Sequence, residues 1–156
     1  MAWLIFALVT VVSWGVYGVF LHSGQLLMDD PENGRYKAFL FVGVAYLLMA
    51  LIGSVVILFL NGATWRFPAK GVGLSTAAGL VGAIGAFCLL LAFGAKGTPA
   101  VVMSIVFAGA PVVNAVVAMW VHPPHGGWGT VRWQFIVGIV IASFGGWLVT
   151  LYRPGS

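Results

Sequence analysis

Few side chains inside the apolar segments of this sequence could do chemistry, and those that could are polar but uncharged. Ser13, Trp14 and Tyr17 lie together in the first apolar segment. Trp14 and Tyr17 are three residues apart, which places both side chains on one face of a helix. Because an indole N–H and a phenol hydroxyl both hydrogen-bond small polar molecules, we expect Trp14 and Tyr17 to line a substrate path.

A second candidate pair lies in the fourth apolar segment. Pro111 has no backbone N–H and therefore frees a carbonyl oxygen one helical turn earlier. Asn114 follows three residues later on the same side of the helix. Irregular backbone at membrane depth is tolerated where it lines a cavity, so we expect Pro111 and Asn114 to line the same path. The alternative is that Asn114 hydrogen-bonds a neighbouring helix. Gln25, just past the first segment, is a further candidate for ligand contact.

The sequence has no catalytic or metal-binding constellation. It contains no Ser-His-Asp set, no paired carboxylates within an apolar segment, no HExxH and no phosphate-binding loop. His122 and His125 flank two prolines, with no carboxylate or cysteine nearby to complete a metal site. We therefore expect no enzymatic activity, no metal and no cofactor.

The distribution of charge identifies the broad class of protein. The chain is 62% hydrophobic and 6% charged, whereas a soluble domain is about 25% charged. Its acidic residues, Asp29, Asp30 and Glu32, all lie in one short polar stretch, and its basic residues are scattered. So few charges could not cover the surface of a soluble protein, and scattered cations do not indicate nucleic-acid binding. The chain is predicted to be an integral membrane protein in contact with the lipid bilayer.

Five continuously apolar segments are long enough to span a bilayer as helices. We therefore predict an all-α, polytopic membrane protein that forms a single transmembrane domain over residues 1–156. The predicted helices cover about 2–21, 38–60, 72–95, 99–121 and 133–152. A bacterial inner (cell) membrane is the expected location.

The basic residues give little information on orientation. Arg66, Lys70 and Arg132 lie on the side of the N-terminus, and Arg35, Lys37, Lys96 and Arg153 lie on the other side. The two sides are therefore almost balanced under the rule that cytoplasmic loops carry more Lys and Arg. We expect a cytoplasmic N-terminus, and insertion in both orientations remains the alternative.

Glycines in the third segment predict close packing of helices. Gly79, Gly82 and Gly85 recur every three residues, and small residues let two helix backbones approach each other within a bilayer. The predicted spans contain no Asp, Glu, Lys or Arg, so they offer no side-chain relay for protons. If the chain is a transporter, we expect uncoupled or exchange transport of a neutral or weakly charged substrate.

The layout resembles one repeat of the EamA-type drug/metabolite transporter superfamily. The likeness rests on five spans, a WG pair in the first helix and the basic Arg35 before the second. It continues through GLVGAIGAFCLLLAFGAKGTPAVVMSIVFAGAPVVNAVVAMW, where Pro111 matches the family's proline, and through QFIVGIVIASFGGWLV in the last helix. Most members carry two inverted repeats, so the resemblance implies a half-size transporter that pairs as a homodimer and works by alternating access.

A function of another class remains open. The chain could be a non-catalytic structural subunit of a larger membrane complex, with its glycine-rich faces packed against other membrane subunits. The missing second repeat and the uncharged spans favour this alternative as much as they permit the first.

Overall fold

The computed structural model describes residues 2–152, and every regular element in that range is helical. Five helices are long and apolar enough to cross a membrane, which confirms the all-α prediction. They are α1 (Ala2–Leu26), α2 (Gly34–Leu60), α3 (Ala69–Gly94), α4 (Pro99–Val121) and α5 (Trp133–Leu151). A short 3₁₀ turn, Trp128–Thr130, precedes α5. Arg153, which was counted for orientation, lies outside the described residues.

The first two helices extend further into polar sequence than predicted. α1 continues to Leu26 instead of ending at 21, and α2 begins at Gly34 instead of 38. The prediction followed hydropathy, which falls at His22 and Gln25. A helix of 25 residues is about 38 Å long, longer than the hydrocarbon core of about 30 Å, so its last turn can lie in the polar interface. As a result, Gln25 and Arg35 lie within helices and not in a loop.

Asp30 organises the turn between α1 and α2. Its Oδ1 accepts hydrogen bonds from the backbone N–H groups of Asn33 (2.8 Å) and Glu32 (3.2 Å), as an aspartate side chain does in an Asx turn. Its Oδ2 lies 2.7 Å from Nζ of Lys37 in the first turn of α2. The hydrogen bond from Lys37, followed by the one from Asn33, lowers the pKa of Asp30 below its ordinary value. Asp30 and Lys37 are therefore engaged in contacts that stabilise this turn.

The middle of α2 departs from regular α-helical geometry. Leu48–Gly53 forms a π-helical stretch, and α-helix resumes from Ser54 to Leu60. The stretch consists of five apolar residues and Gly53, so hydropathy alone does not distinguish it from the helix on either side. Such stretches contain extra residues per turn and occur often at functional sites.

The helices form two compact units, a first that ends at Lys96 and a second that begins at Gly97. In the first unit α1 packs against α2, and α3 packs against both. Its buried side chains include Leu21, Ala38 and Leu90. In the second unit α4 packs along α5. The single domain predicted over 1–156 stays a prediction.

Most large apolar side chains lie on the outside of the helices. Phe6 and Val81 are each 70% exposed, and Trp120 is 78% exposed. Soluble proteins rarely expose contiguous apolar patches of more than a few hundred Å². The exposed apolar surface and the five spanning helices together make the chain an integral membrane protein.

Candidate functional site

Trp14 and Tyr17 lie together at mid-height of α1, as their spacing predicted. Their ring centroids are 6.2 Å apart, with the planes tilted by 48°. Trp14 is the central residue of α1 (Ala2–Leu26), and Tyr17 lies about 4.5 Å further along the helix axis. Tyr17 lines a groove of about 710 Å³ between α1 and α2, here called the α1–α2 groove. This volume falls within the range of small-molecule sites.

Ser13 and Tyr17 supply the hydroxyl groups of the α1–α2 groove, and Tyr17 is the less exposed of the two residues. The hydroxyl oxygen of Tyr17 is buried, and no described residue gives it a hydrogen bond. Tyr46 of α2 lies close to it, and the two hydroxyls approach a hydrogen bond without meeting its strict distance and angle limits. The remaining lining is almost entirely apolar and includes Phe20, Leu21 and Phe41. A buried hydroxyl without a partner costs about 1–3 kcal/mol, which a ligand offering an acceptor or donor would recover.

Pro111 and Asn114 belong to the second unit, where α4 runs without interruption through Pro111. Both residues are exposed. Asn114 lies four residues beyond the midpoint of α4 (Pro99–Val121), a distance of about 6 Å. The two sequence-predicted pairs are therefore each at mid-height of their own helix.

Several other polar side chains in the spans bond to their own helices. The hydroxyls of Ser104, Ser143 and Thr150 donate to carbonyl oxygens four residues earlier, at 2.6–2.9 Å. This pattern satisfies a hydroxyl within its own helix. The groups left without partners are therefore the ones to consider for ligand contact, and three are buried: Tyr17 Oη, Gln25 Oε1 and Arg35 Nε.

Gln25 and Arg35 face a second cavity that the sequence did not reveal as a site. It has a volume of about 680 Å³ and lies in the first unit, where α1 ends, α2 begins and α3 ends. We call it the boundary cleft. Its polar and aromatic lining includes His22, Gln25, Asp29, Arg35, Phe93 and Lys96. One part of this lining could be found from local sequence spacing, because His22 and Gln25 are three residues apart on a helix that continues to Leu26.

The glycine stripe of α3 has no close neighbour within the first unit. A Cβ atom added at Gly79, Gly82 or Gly85 would meet no described atom within 4 Å. The contacts that these glycines were predicted to make are thus not contacts inside the first unit. The prediction that they pack a helix stays a prediction.

The fold and surface define a helical integral membrane protein with five spans. Neither a protein-family model nor a curated protein nor a solved structure matches the chain. Among the described residues, no group of three His, Cys, Asp or Glu side chains could hold a metal ion.

Proposed function

We propose that the protein is a half-size transporter of a small neutral or weakly charged metabolite, of the EamA type, in a bacterial inner membrane. The observation that carries this proposal is the unpaired Tyr17 hydroxyl, buried in the α1–α2 groove beside Trp14 at mid-height of a spanning helix. Substrate sites of transporters built from inverted repeats lie near the bilayer midplane.

The lining of the groove supports this substrate class. No Asp, Glu, Lys or Arg lines it, so a charged substrate would lose its hydration without a counter-charge. A mostly apolar molecule with one or two hydrogen-bonding groups fits both the apolar walls and the Tyr17 hydroxyl. The same absence of ionisable groups favours uncoupled or exchange transport over proton coupling.

Homodimerisation follows from the same proposal. A repeat of five spans can form an inverted pair with a second copy of itself that is inserted in the opposite orientation. Gly79, Gly82 and Gly85 are open among the described residues, so close approach of a second α3 meets no steric obstacle there. Trp14, Tyr17, Pro111 and Asn114 of both copies would then line the path.

Flux measurements in liposomes test this proposal. The purified protein is reconstituted with a trapped mixture of small neutral metabolites, and exchange with a labelled external mixture is followed by mass spectrometry. The double variant Trp14→Ala, Asn114→Ala is expected to lower flux by about tenfold or more while leaving assembly unchanged. Trp3→Ala is the matched control, because Trp3 is an exposed tryptophan near the end of α1. Wild-type flux no greater than that of empty liposomes would overturn the proposal.

The open glycine stripe also favours a second function, that of a non-catalytic subunit in a larger membrane complex. Mild solubilisation from the native membrane separates the two. A species near twice the 16.5 kDa chain mass supports the transporter, and stoichiometric foreign chains support the subunit.

A further inference from the structure

We infer that the boundary cleft binds a small zwitterion, with its acid group on Arg35 and its ammonium group on Gln25 and Asp29. This inference does not depend on transport, because the cleft is a separate cavity from the α1–α2 groove. It rests on donors and acceptors that the described protein leaves unpaired and whose residues line one cavity.

Gln25 supplies a buried acceptor. The residue is 8% exposed, and its Nε2 lies 3.0 Å from Nδ1 of His22. His22 is in turn held edge-on against the buried ring of Phe93, with centroids 5.4 Å apart. The amide is therefore fixed from one side while its Oε1 has no hydrogen-bond partner among the described residues. A fixed, unpaired acceptor that lines a cavity is suited to an N–H donor from a ligand.

Arg35 supplies a fixed cation. Its Nε is buried without a partner, and the residue forms no ion pair with the described part of the chain. The guanidinium carbon lies 5.0 Å from the centroid of the Tyr36 ring, at cation–π distance. On the other side the side chain lies against the backbone of Gly94, where any Cβ would collide with Nη1. A planar guanidinium held in this way matches a carboxylate or phosphate group.

The other charged side chains that line the cleft provide both an anion and a second cation. Asp30 is engaged by Lys37 at 2.7 Å, whereas Asp29 makes no ion pair within residues 2–152. Lys96, which also lines the cleft, is exposed. Asp29 and Lys96 are also the non-glycine residues with left-handed backbone in the described chain, with φ of 50° and 68°. The cleft thus offers an acceptor and an anion for an ammonium group, and cations for an acid group.

Two sources could supply this chemistry. One is a water-soluble amino acid, and the other is the headgroup of phosphatidylethanolamine, since the cleft lies where three helices end. Both carry an acid group and an N–H ammonium a few bonds apart. Phosphatidylcholine is a matched comparison because its ammonium has no N–H to donate to Gln25.

Thermal unfolding of the delipidated full-length protein tests the inference without requiring a variant. The soluble probes are L-alanine, isobutyrate and isopropylamine. In isobutyrate a methyl group replaces the ammonium group of L-alanine, and in isopropylamine a methyl group replaces the carboxylate. The lipid probes are nanodiscs of phosphatidylcholine with and without phosphatidylethanolamine. We expect L-alanine or phosphatidylethanolamine to raise the Tm, and each single-charge analogue to bind about tenfold more weakly than L-alanine where L-alanine is the ligand.

Variants then locate the effect in the cleft. Gly94→Ala displaces the Arg35 guanidinium, and Gln25→Leu removes the acceptor. Each variant should therefore lower the affinity for the probe that raises the wild-type Tm by about tenfold. Gly73→Ala is the matched control, because a Cβ at this α3 position meets no described atom within 4 Å. The inference is overturned if neither L-alanine nor phosphatidylethanolamine raises the Tm. It is equally overturned if isobutyrate binds as well as L-alanine, or if both variants respond like the wild type.

Discussion

Gly146 of α5 lies directly against Ala108 of α4, closely enough that a Cβ at Gly146 would overlap the Ala108 methyl group. The same added atom would lie 3.2 Å from the carbonyl oxygen of Ser104. Neither obstacle is the flexible end of a side chain, so the helices would have to move apart. Close backbone contact at a small residue is how helices pack where lipid removes the hydrophobic driving force.

Gly146→Ala should therefore destabilise the second unit by about 1–3 kcal/mol, the usual cost of overpacking. The matched control is Gly145→Ala, one residue earlier on the same helix, where an added Cβ meets no described atom within 4 Å. Reversible unfolding in mixed micelles would measure both. Equal stability of the two variants would show that this contact does not set the spacing of α4 and α5.

Tyr17→Phe should have opposite effects on stability and on transport. Removing a buried hydroxyl that has no partner relieves a desolvation penalty, so the free energy of unfolding should rise by up to about 1 kcal/mol. If Tyr17 holds the substrate, flux should fall by about tenfold. Tyr36→Phe, a tyrosine of α2 outside the lining of the α1–α2 groove, serves as the control. A Tyr17→Phe protein with full flux would remove Tyr17 from the proposed path.

The ion pair of Asp30 with Lys37 predicts a specific dependence on pH. Because the pKa of Asp30 is lower in the folded protein than its ordinary value of 3.8, its contribution to stability is present above that value. The contribution is lost as the pH falls through the lowered pKa. The Tm difference between wild type and Asp30→Asn should thus be constant near neutral pH and shrink below about pH 4.

Glu32→Gln provides the comparison for that experiment. It removes a carboxylate from the same turn but leaves the contacts of Asp30 with Lys37 and Asn33 in place. Its Tm difference from the wild type should therefore not follow the profile of Asp30→Asn. Identical profiles for the two variants would indicate general charge repulsion and not this pair.

Replacing Gly79, Gly82 and Gly85 with leucine should weaken assembly without disrupting the fold of a single chain. Within the first unit these positions are open, so the triple variant should leave the fold of that unit unchanged. A second chain packed on this stripe would be pushed away, and the dimer fraction in cross-linking should fall by about tenfold. Leucine at Gly73, an open position nearer the start of α3, is the control. An unchanged dimer fraction would place the interface elsewhere.

The number and type of the helices could be read from the sequence, because about 20 consecutive apolar residues have few alternatives to a spanning helix. The ends of α1 and α2 could not be read in the same way. His22, Gln25 and Arg35 lower the local hydropathy, yet their helices continue through them. Hydropathy reports where the hydrocarbon ends and not where the backbone stops being helical.

The candidate sites divide along the same line. Trp14 and Tyr17 were predictable as neighbours because a local helical spacing brings them together. The contact of Arg35 with Gly94 joins residues far apart in the chain, and the sequence around either residue does not predict it. Assigning Gln25 to a loop also concealed that its amide is fixed by His22.

The π-helical stretch Leu48–Gly53 has a consequence for any scan of α2 by substitution. With more residues per turn than an α-helix, it rotates the later part of α2 relative to the earlier part. Positions that face a common neighbour before Leu48 will not continue at the same spacing after Gly53. The effect of substitution, plotted against position, should thus show one helical periodicity over Gly34–Leu47 and the same periodicity, shifted in phase, over Ser54–Leu60.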